Sequence, residues 1–280
     1  GRIQDAEALF DRAVSRSPEN PEAHLGLGRI SRIRNDAAGA VAHLRRAVPS
    51  AAFYEEALRH LWRAAWDRGR VDDLAEIRDL AAERFGRESK PLPNLFTNGF
   101  DQVRDLGGKR LFRMEGGFDR ISAPLVFEEE RAPGIRMISL RLNGKAEYPF
   151  DIDSASADFL TLSPLLAEEL GLPLTGGSTA TGVGTATAPV RFSRLDAVEL
   201  GPPTFRDVPV MVSDIQPFRG LKKGLLGTGL LKRFNVTIDV EARLMTLYPL
   251  DRSDLLHRGI DRAAVQQDAL PFPVQQVIRA

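Results

Sequence analysis

The sequence has no cysteine, which excludes disulfides, thiolate metal sites and cysteine nucleophiles together and leaves the redox compartment open. It has no net charge either. Thirty-eight Lys and Arg residues balance 38 Asp and Glu, so the electrostatic footprint of a dedicated nucleic-acid binder is missing. No apolar run approaches the roughly 18 residues needed to span a bilayer, and the first residues lack the apolar core of a signal peptide. Any export signal must lie outside this sequence. Histidine is scarce: three of the four, His24, His43 and His60, sit in helical patterns and His257 sits in the tail. None is placed beside a nucleophile or a metal cluster. There is no Gly-x-x-x-x-Gly-Lys-Ser/Thr, and Gly182-x-Gly184 lacks the third glycine and following helix of a dinucleotide site. Neither a metal nor a cofactor is expected.

What is present is an ordinary globular composition, 43% hydrophobic and 27% charged over 280 residues, enough for roughly two domains with real cores. Gly1 falls inside a helical pattern, and Pro271-Phe272-Pro273-Val274 reads as a strand about to begin. The sequence is therefore expected to be a piece trimmed at both ends.

A repeat opens the chain. Ala6, Phe10 and Ala13 return at one constant displacement as Ala40, Leu44 and Ala47, with Pro18 closing the first unit and Leu27-Gly28 in the first helix of the second. These residues resemble the tetratricopeptide repeat, in which small residues let antiparallel helices approach and a large apolar residue fills the gap between repeats. His24 and Ser31 replace the usual aromatics, and Ala52 stands where a second proline is customary. Apolar residues then keep helical spacing from Leu58 to Ala81, with a break at Gly69, which reads as a third helix pair. Such a stack offers a surface for a peptide or partner protein, or serves as a spacer or dimerising arm. The arginines Arg29, Arg32, Arg34, Arg45 and Arg46 are interspersed with acids and read as solvated faces.

Pro91, Pro93, Asn94 and Asn98 form a breaker cluster, and helical periodicity is not expected again before Ser163, while 95–117 reads as ambiguous with a turn at Gly107-Gly108. The expected organisation is helical repeats over 1–90, a connecting segment over 91–131, a mainly-β domain over 132–250, and a tail over 251–280. Residues 135–142 alternate apolar and polar, Asn143-Gly144 supplies a hairpin turn, and 146–152 return as a second strand. Ser163 caps a short helix that Gly171 stops. A charge-free glycine and threonine stretch over 175–188 precedes short strands at 190–192, 197–200 and 208–212. Gly224-Leu225-Leu226-Gly227, a short helix and the strands 236–239 and 244–248 complete the pattern.

In this order the parts resemble a retropepsin-like aspartic protease lobe, a closed barrel that works in pairs. The resemblance covers 132–250 and implies a catalytic aspartate after an apolar strand, in an Asp-Thr-Gly or Asp-Ser-Gly loop. Phe150-Asp151-Ile152-Asp153-Ser154-Ala155-Ser156 offers two aspartates. Asp153 is the expected catalytic residue: it follows Ile152, precedes the hydroxyl of Ser154 and sits at the strand's end, while Asp151 points away from the face of Phe150 and Ile152. Ala155 stands where the family has glycine, and the loop to Ser163 is a residue longer than usual. The resemblance further implies that Ser154, Ala155 and Gly227 support the catalytic loop and that Gly182, Val183 and Gly184 form a substrate-binding flap.

One such loop implies a homodimer or a tandem second lobe, for which Ala269 to Val274 resembles a lead-in strand. The expected function is aspartic endopeptidase action on a protein or peptide substrate docked by the repeats; the alternative is an inactive peptide-binding or assembly module on the same fold. Relatives with this layout are often exported, which gives a lean toward a periplasmic location.

Overall fold

The computed structural model describes residues 2–106, 109–127, 136–181, 187–214, 221–249 and 277–279. The chain divides into a helical unit that runs to Phe100 and a β unit that takes in residues 110–249.

The helical unit is a run of helices: α1 (Arg2–Arg16), α2 (Pro21–Ile33), α3 (Ala37–Ala47), α4 (Tyr54–Arg68), α5 (Val71–Arg87) and α6 (Asn94–Asp101). Starts are set by side chains that accept otherwise orphaned N–H groups: Asn20 accepts from Ala23 N–H and Asp36 from Gly39 N–H. Ala40, Leu44, Ala57, Leu58, Leu61, Ala65, Leu74 and Ile77 are fully buried, so the helical spacing seen in the sequence is the spacing of the core. Close approach depends on small residues. A Cβ added at Gly28 would lie 2.5 Å from Leu44. One expectation is corrected here, because helix returns at α6, well before Ser163. α5 stops at Arg87, where Ser89 turns left-handed (φ 52°) and Lys90 N–H folds back onto the Phe85 carbonyl; beyond Pro91, the Pro93 carbonyl accepts Phe96 N–H and a new helix starts. Its Phe96 and Phe100, one turn apart, are buried, with Phe96 edge-on to Trp62 at 5.4 Å.

The β unit contains β1 (Arg113–Glu115), β2 (Ile121–Pro124), β3 (Val126–Phe127), β4 (Arg136–Leu142), β5 (Glu147–Asp153), β6 (Leu160–Leu162), helix α7 (Pro164–Leu170), β7 (Thr175–Thr181), β8 (Thr187–Glu199), β9 (Thr204–Ser213), β10 (Gly224–Gly227), helix α8 (Thr228–Leu231), β11 (Phe234–Asp239), β12 (Leu244–Pro249) and β13 (Val277–Arg279). Six strands close into a barrel in the order β9-β6-β10-β5-β4-β8, with β8 pairing back onto β9; β1, β3 and β7 attach at its margins. A second sheet runs β13-β11-β12-β2, with β13 parallel to β11. Strand closure removes most free edges.

Local chemistry sets the hairpin between β4 and β5. Asn143 and Gly144 both have positive φ, 49° and 66°, the backbone of a type I′ turn. The Asn143 side chain also accepts Ala197 N–H from β8. Helix α7 has the expected ends: Ser163 Oγ accepts Leu166 N–H, and Gly171 is left-handed. The strands expected at 190–192 and 197–200 are one continuous strand, β8, because β9 pairs with it from Val190↔Ser213 to Glu199↔Thr204. The residues between are carried through by that long partner.

Candidate active site

Asp153 is the last residue of β5, at the point where the chain leaves the barrel wall. Strand β10 lies between β5 and β6. It runs parallel to β5, pairing Gly224 with Phe150 and Gly227 with Asp153, and antiparallel to β6, pairing Leu226 with Leu160. The segment that leaves β5 and returns as β6 therefore wraps around the end of a strand that arrives much later in the chain, after β9. Gly227 stands directly beside Asp153.

That loop is held by hydrogen bonds from both sides. Asp153 Oδ1 accepts Ala155 N–H at 2.8 Å and Ser156 N–H at 3.3 Å, which fixes one carboxylate oxygen and leaves it electrostatically supported. From the other side, the Ser156 carbonyl accepts both Thr228 N–H (2.8 Å) and Thr228 Oγ1–H (2.7 Å). Gly227 N–H donates to Phe159 O, and Gly229 N–H to Asp158 O. The fit leaves no room for a side chain: a Cβ at Gly227 would lie 2.2 Å from the Asp158 carbonyl oxygen.

Ser154 and Ala155 are exposed at the tip, and Asp153 is half-buried. Ala155 does not have a positive φ, so its Cβ is not strained in the place where the motif has glycine, and its N–H still reaches the carboxylate. Asp158 is half-buried, and desolvation pushes its carboxyl above the usual carboxylate range. Phe159, which leads into β6, packs against Phe112, and Arg233 lies over both rings at 5.0 and 4.5 Å.

Asp151 is not a second exposed acid. It is 5% exposed and makes a 3.0 Å salt bridge from Oδ2 to Lys223 Nζ, with Lys223 equally buried. Lys223 directly precedes β10, so the pair ties β5 to β10 close to the Asp153–Gly227 pairing. Sequence reasoning missed this pair and also Thr228. The partners are distant along the chain, and only the parallel register brings them together. Gly182, Val183 and Gly184, the expected flap, lie outside the described residues, between paired Thr181 and Thr187. Most of the tail, including 269–274, lies outside them as well. No helix among the described residues is long and apolar enough to cross a membrane.

A closed six-stranded barrel with an aspartate at a strand end, wrapped around a parallel glycine-bearing strand, is a retropepsin-like lobe. An aspartyl protease family model matches residues 138–230, from β4 through α8, and a tetratricopeptide repeat model matches residues 1–55, from α1 through the start of α4. The chain carries a protease-like module preceded by helical repeats of a type that serves protein interaction. No curated protein matches the chain.

Proposed function

We propose that the β unit is one lobe of an aspartic endopeptidase and that Asp153 is its catalytic carboxylate. The observation that carries the reading is the anchored Asp153 loop: a carboxylate at a strand end, one oxygen fixed by two backbone N–H groups, opposite a glycine that admits the loop. In aspartic proteases two carboxylates at close range cannot both ionise and share one proton; one acts as base on a water while the other donates to the scissile carbonyl oxygen. The water oxygen bonds to the scissile carbon to give a tetrahedral intermediate; as the C–N bond breaks, the proton taken from water passes to the leaving amine and the hydroxyl proton of the intermediate returns to the dyad. This chain offers one such loop, so the second carboxylate comes from a second copy or a further lobe. Asp151 is a poor candidate for the role because Lys223 holds it in a buried salt bridge. The same reading gives residues 182–184 a part in substrate binding and has the helical repeats dock a protein substrate or partner.

A second reading is an inactive peptide-binding module on the same fold. It is favoured by Ala155 in the motif's glycine position and by the longer loop. Cleavage of a diverse peptide pool from acid to neutral pH separates the two readings. Loss of cleavage in Asp153→Asn, with cleavage persisting in folded Asp151→Asn, establishes the endopeptidase. A parent chain that cleaves nothing, as monomer or dimer, leaves the binding module.

A further inference from the structure

Two residues from outside the aspartyl protease match meet at the far end of the Asp153 loop. Phe112 precedes β1 and Arg233 follows α8, so they lie beyond residues 138–230 on opposite sides. The Phe112 ring packs against Phe159 with centroids 5.0 Å apart, and the Arg233 guanidinium lies over Phe112 at 4.5 Å and over Phe159 at 5.0 Å. Phe159 is the residue through which the loop re-enters the barrel as β6. Arg233 also reaches the loop's support: its Nε–H donates to the Gly229 carbonyl at 3.3 Å, and Gly229 N–H donates to Asp158 O at 3.0 Å.

Phe112 holds this place against its own backbone preference. Its φ is 51°, in the left-handed region, which a bulky side chain seldom enters. Such a conformation persists only where the surroundings over-determine it, and here three contacts do. Phe112 N–H donates to the Asp207 carbonyl at 3.2 Å, the neighbouring Arg113 binds the Asp207 carboxylate at 2.7 Å, and the ring stacks on Phe205 of β9 with centroids 5.1 Å apart and planes 15° from parallel. Arg113, Met114 and Glu115 of β1 are exposed, whereas Phe112 is buried. The left-handed residue is therefore where the chain delivers a ring inward, and besides Phe205 that ring meets the exit of the Asp153 loop. Backbone bonds to β10 and α8 hold the loop through the carbonyls of Ser156, Asp158 and Phe159. A hydrogen bond tolerates roughly 30° of misalignment, so those bonds alone leave the exit some sideways freedom, and the packing of Phe159 against a ring and a guanidinium removes it.

We propose that Phe112 and Arg233 are positioning residues for the Asp153 loop: they clamp Phe159 and fix the end of the loop that β5 does not hold. The catalytic consequence rests on the reading of Asp153 as the catalytic carboxylate, but the clamp itself does not depend on cleavage.

The test is amide hydrogen exchange of the whole chain, read by nuclear magnetic resonance at Thr228 and Gly229, whose N–H groups bond to loop carbonyls. Amides at the Val190↔Ser213 end of the β8–β9 pairing report the overall stability of the unit. Phe112→Gly relieves the left-handed backbone and deletes the ring; Arg233→Met keeps an apolar stem and deletes the guanidinium. Exchange at Thr228 and Gly229 is expected to quicken by roughly tenfold or more in Phe112→Gly and by about three- to fivefold in Arg233→Met, with a much smaller change in β8–β9. Arg243→Met, which removes another cation–π contact of the unit, over Phe127 at 5.1 Å, should leave the loop amides unchanged. With a peptide that the parent cleaves, both clamp variants should lower kcat and leave KM nearly unchanged. Arg233 is half-buried, so its variant keeps the test sound if Phe112→Gly does not fold. Unchanged loop exchange in Arg233→Met, or quickening shared equally by the β8–β9 amides, overturns the clamp, and quickened loop exchange with unchanged kcat overturns the positioning role. A parent chain that cleaves nothing sinks the endopeptidase reading and leaves the exchange result standing, so the two fail separately.

Discussion

The two units solve the same packing problem by opposite routes. In the helical unit the contacts that matter join neighbouring helices, and charged pairs such as Arg29–Glu56 and Arg45–Glu76 have well exposed partners. In the β unit the site is assembled from strands far apart in sequence, and a charged pair, Asp151–Lys223, is sealed in the wall beside it. A surface pair is worth little when lost, whereas one ion of a buried pair is costly to strand. The helical unit should therefore tolerate charge changes that the β unit cannot.

The sharpest way to break that contrast is to remove one buried ion. Lys223→Met should cost the β unit about 3–5 kcal/mol, because Asp151 is left charged and enclosed, while Lys223→Met with Asp151→Leu should recover most of the loss. The matching exposed change, Arg45→Met, should cost under about 1 kcal/mol. Urea unfolding can separate the two units, because both tryptophans of the chain, Trp62 and Trp66, lie in α4. Their fluorescence follows the helical unit alone, and far-ultraviolet circular dichroism follows both. A Lys223→Met loss no larger than that of Arg45→Met would show that the buried pair is not a structural lock.

Gly227→Ala is next. The new Cβ meets the backbone oxygen of Asp158 at 2.2 Å, and a backbone atom in a loop held by the hydrogen bonds of Ser156, Asp158 and Phe159 cannot step aside. A destabilisation of about 3 kcal/mol is expected, at the upper end of overpacking costs. Cleavage should fall with it, since the displaced loop carries Asp153. Recovery of full stability would mean that the loop is looser than its hydrogen bonds indicate.

These residues also mark how much was legible in advance. The Asn143-Gly144 hairpin, the Ser163 cap and the helical repeat are local patterns, and each is where the sequence put it. Gly227 was legible as part of Gly-Leu-Leu-Gly, but its position beside Asp153 depends on a parallel pairing between β5 and β10, with five elements intervening along the chain, which no local pattern encodes. The Asp151–Lys223 pair was hidden for the same reason. Helix α6 was hidden by its own neighbours: Pro91 and Pro93 are breakers on local rules, and the burial of Phe96 against Trp62 overrides them. The long β8 was split in reading because Arg194 and Asp196 interrupt its apolar alternation, though β9 holds it straight.

Protonation moves the two units in opposite directions. Folding lowers the pKa of His60 from 6.5 to about 4 and lowers that of His43 as well, chiefly through burial. Between those values the unfolded chain binds the proton and the folded chain does not, so the helical unit loses stability as pH falls from about 6.5 toward 4. Asp158 is raised by desolvation; its contribution is complete below the ordinary carboxylate range and is lost as pH rises through the folded value, so acid favours the β unit at this residue. Tryptophan-detected melting against pH should show the helical loss, and His60→Gln should flatten it. A slope unchanged in His60→Gln would assign the effect to other groups.

The smallest effect sharpens the comparison most, because it puts the same kind of substitution in the other unit. A Cβ at Gly26 would lie 2.3 Å from the ring of Phe10, a distance almost the same as at Gly227, yet the obstacle is a different kind of atom. Phe10 is a half-buried side chain on α1, a helix with no fully buried residue, so ring and helix can shift together. Alanine also favours helix over glycine by about 1 kcal/mol at an interior position. The clash and the propensity gain should nearly cancel, leaving Gly26→Ala within about 1 kcal/mol of the parent by tryptophan-detected urea unfolding. A loss as large as that of Gly227→Ala would mean that α1 is held as firmly as the barrel wall. The difference between the units would then lie in the length of their contacts along the chain, and not in how far each can yield.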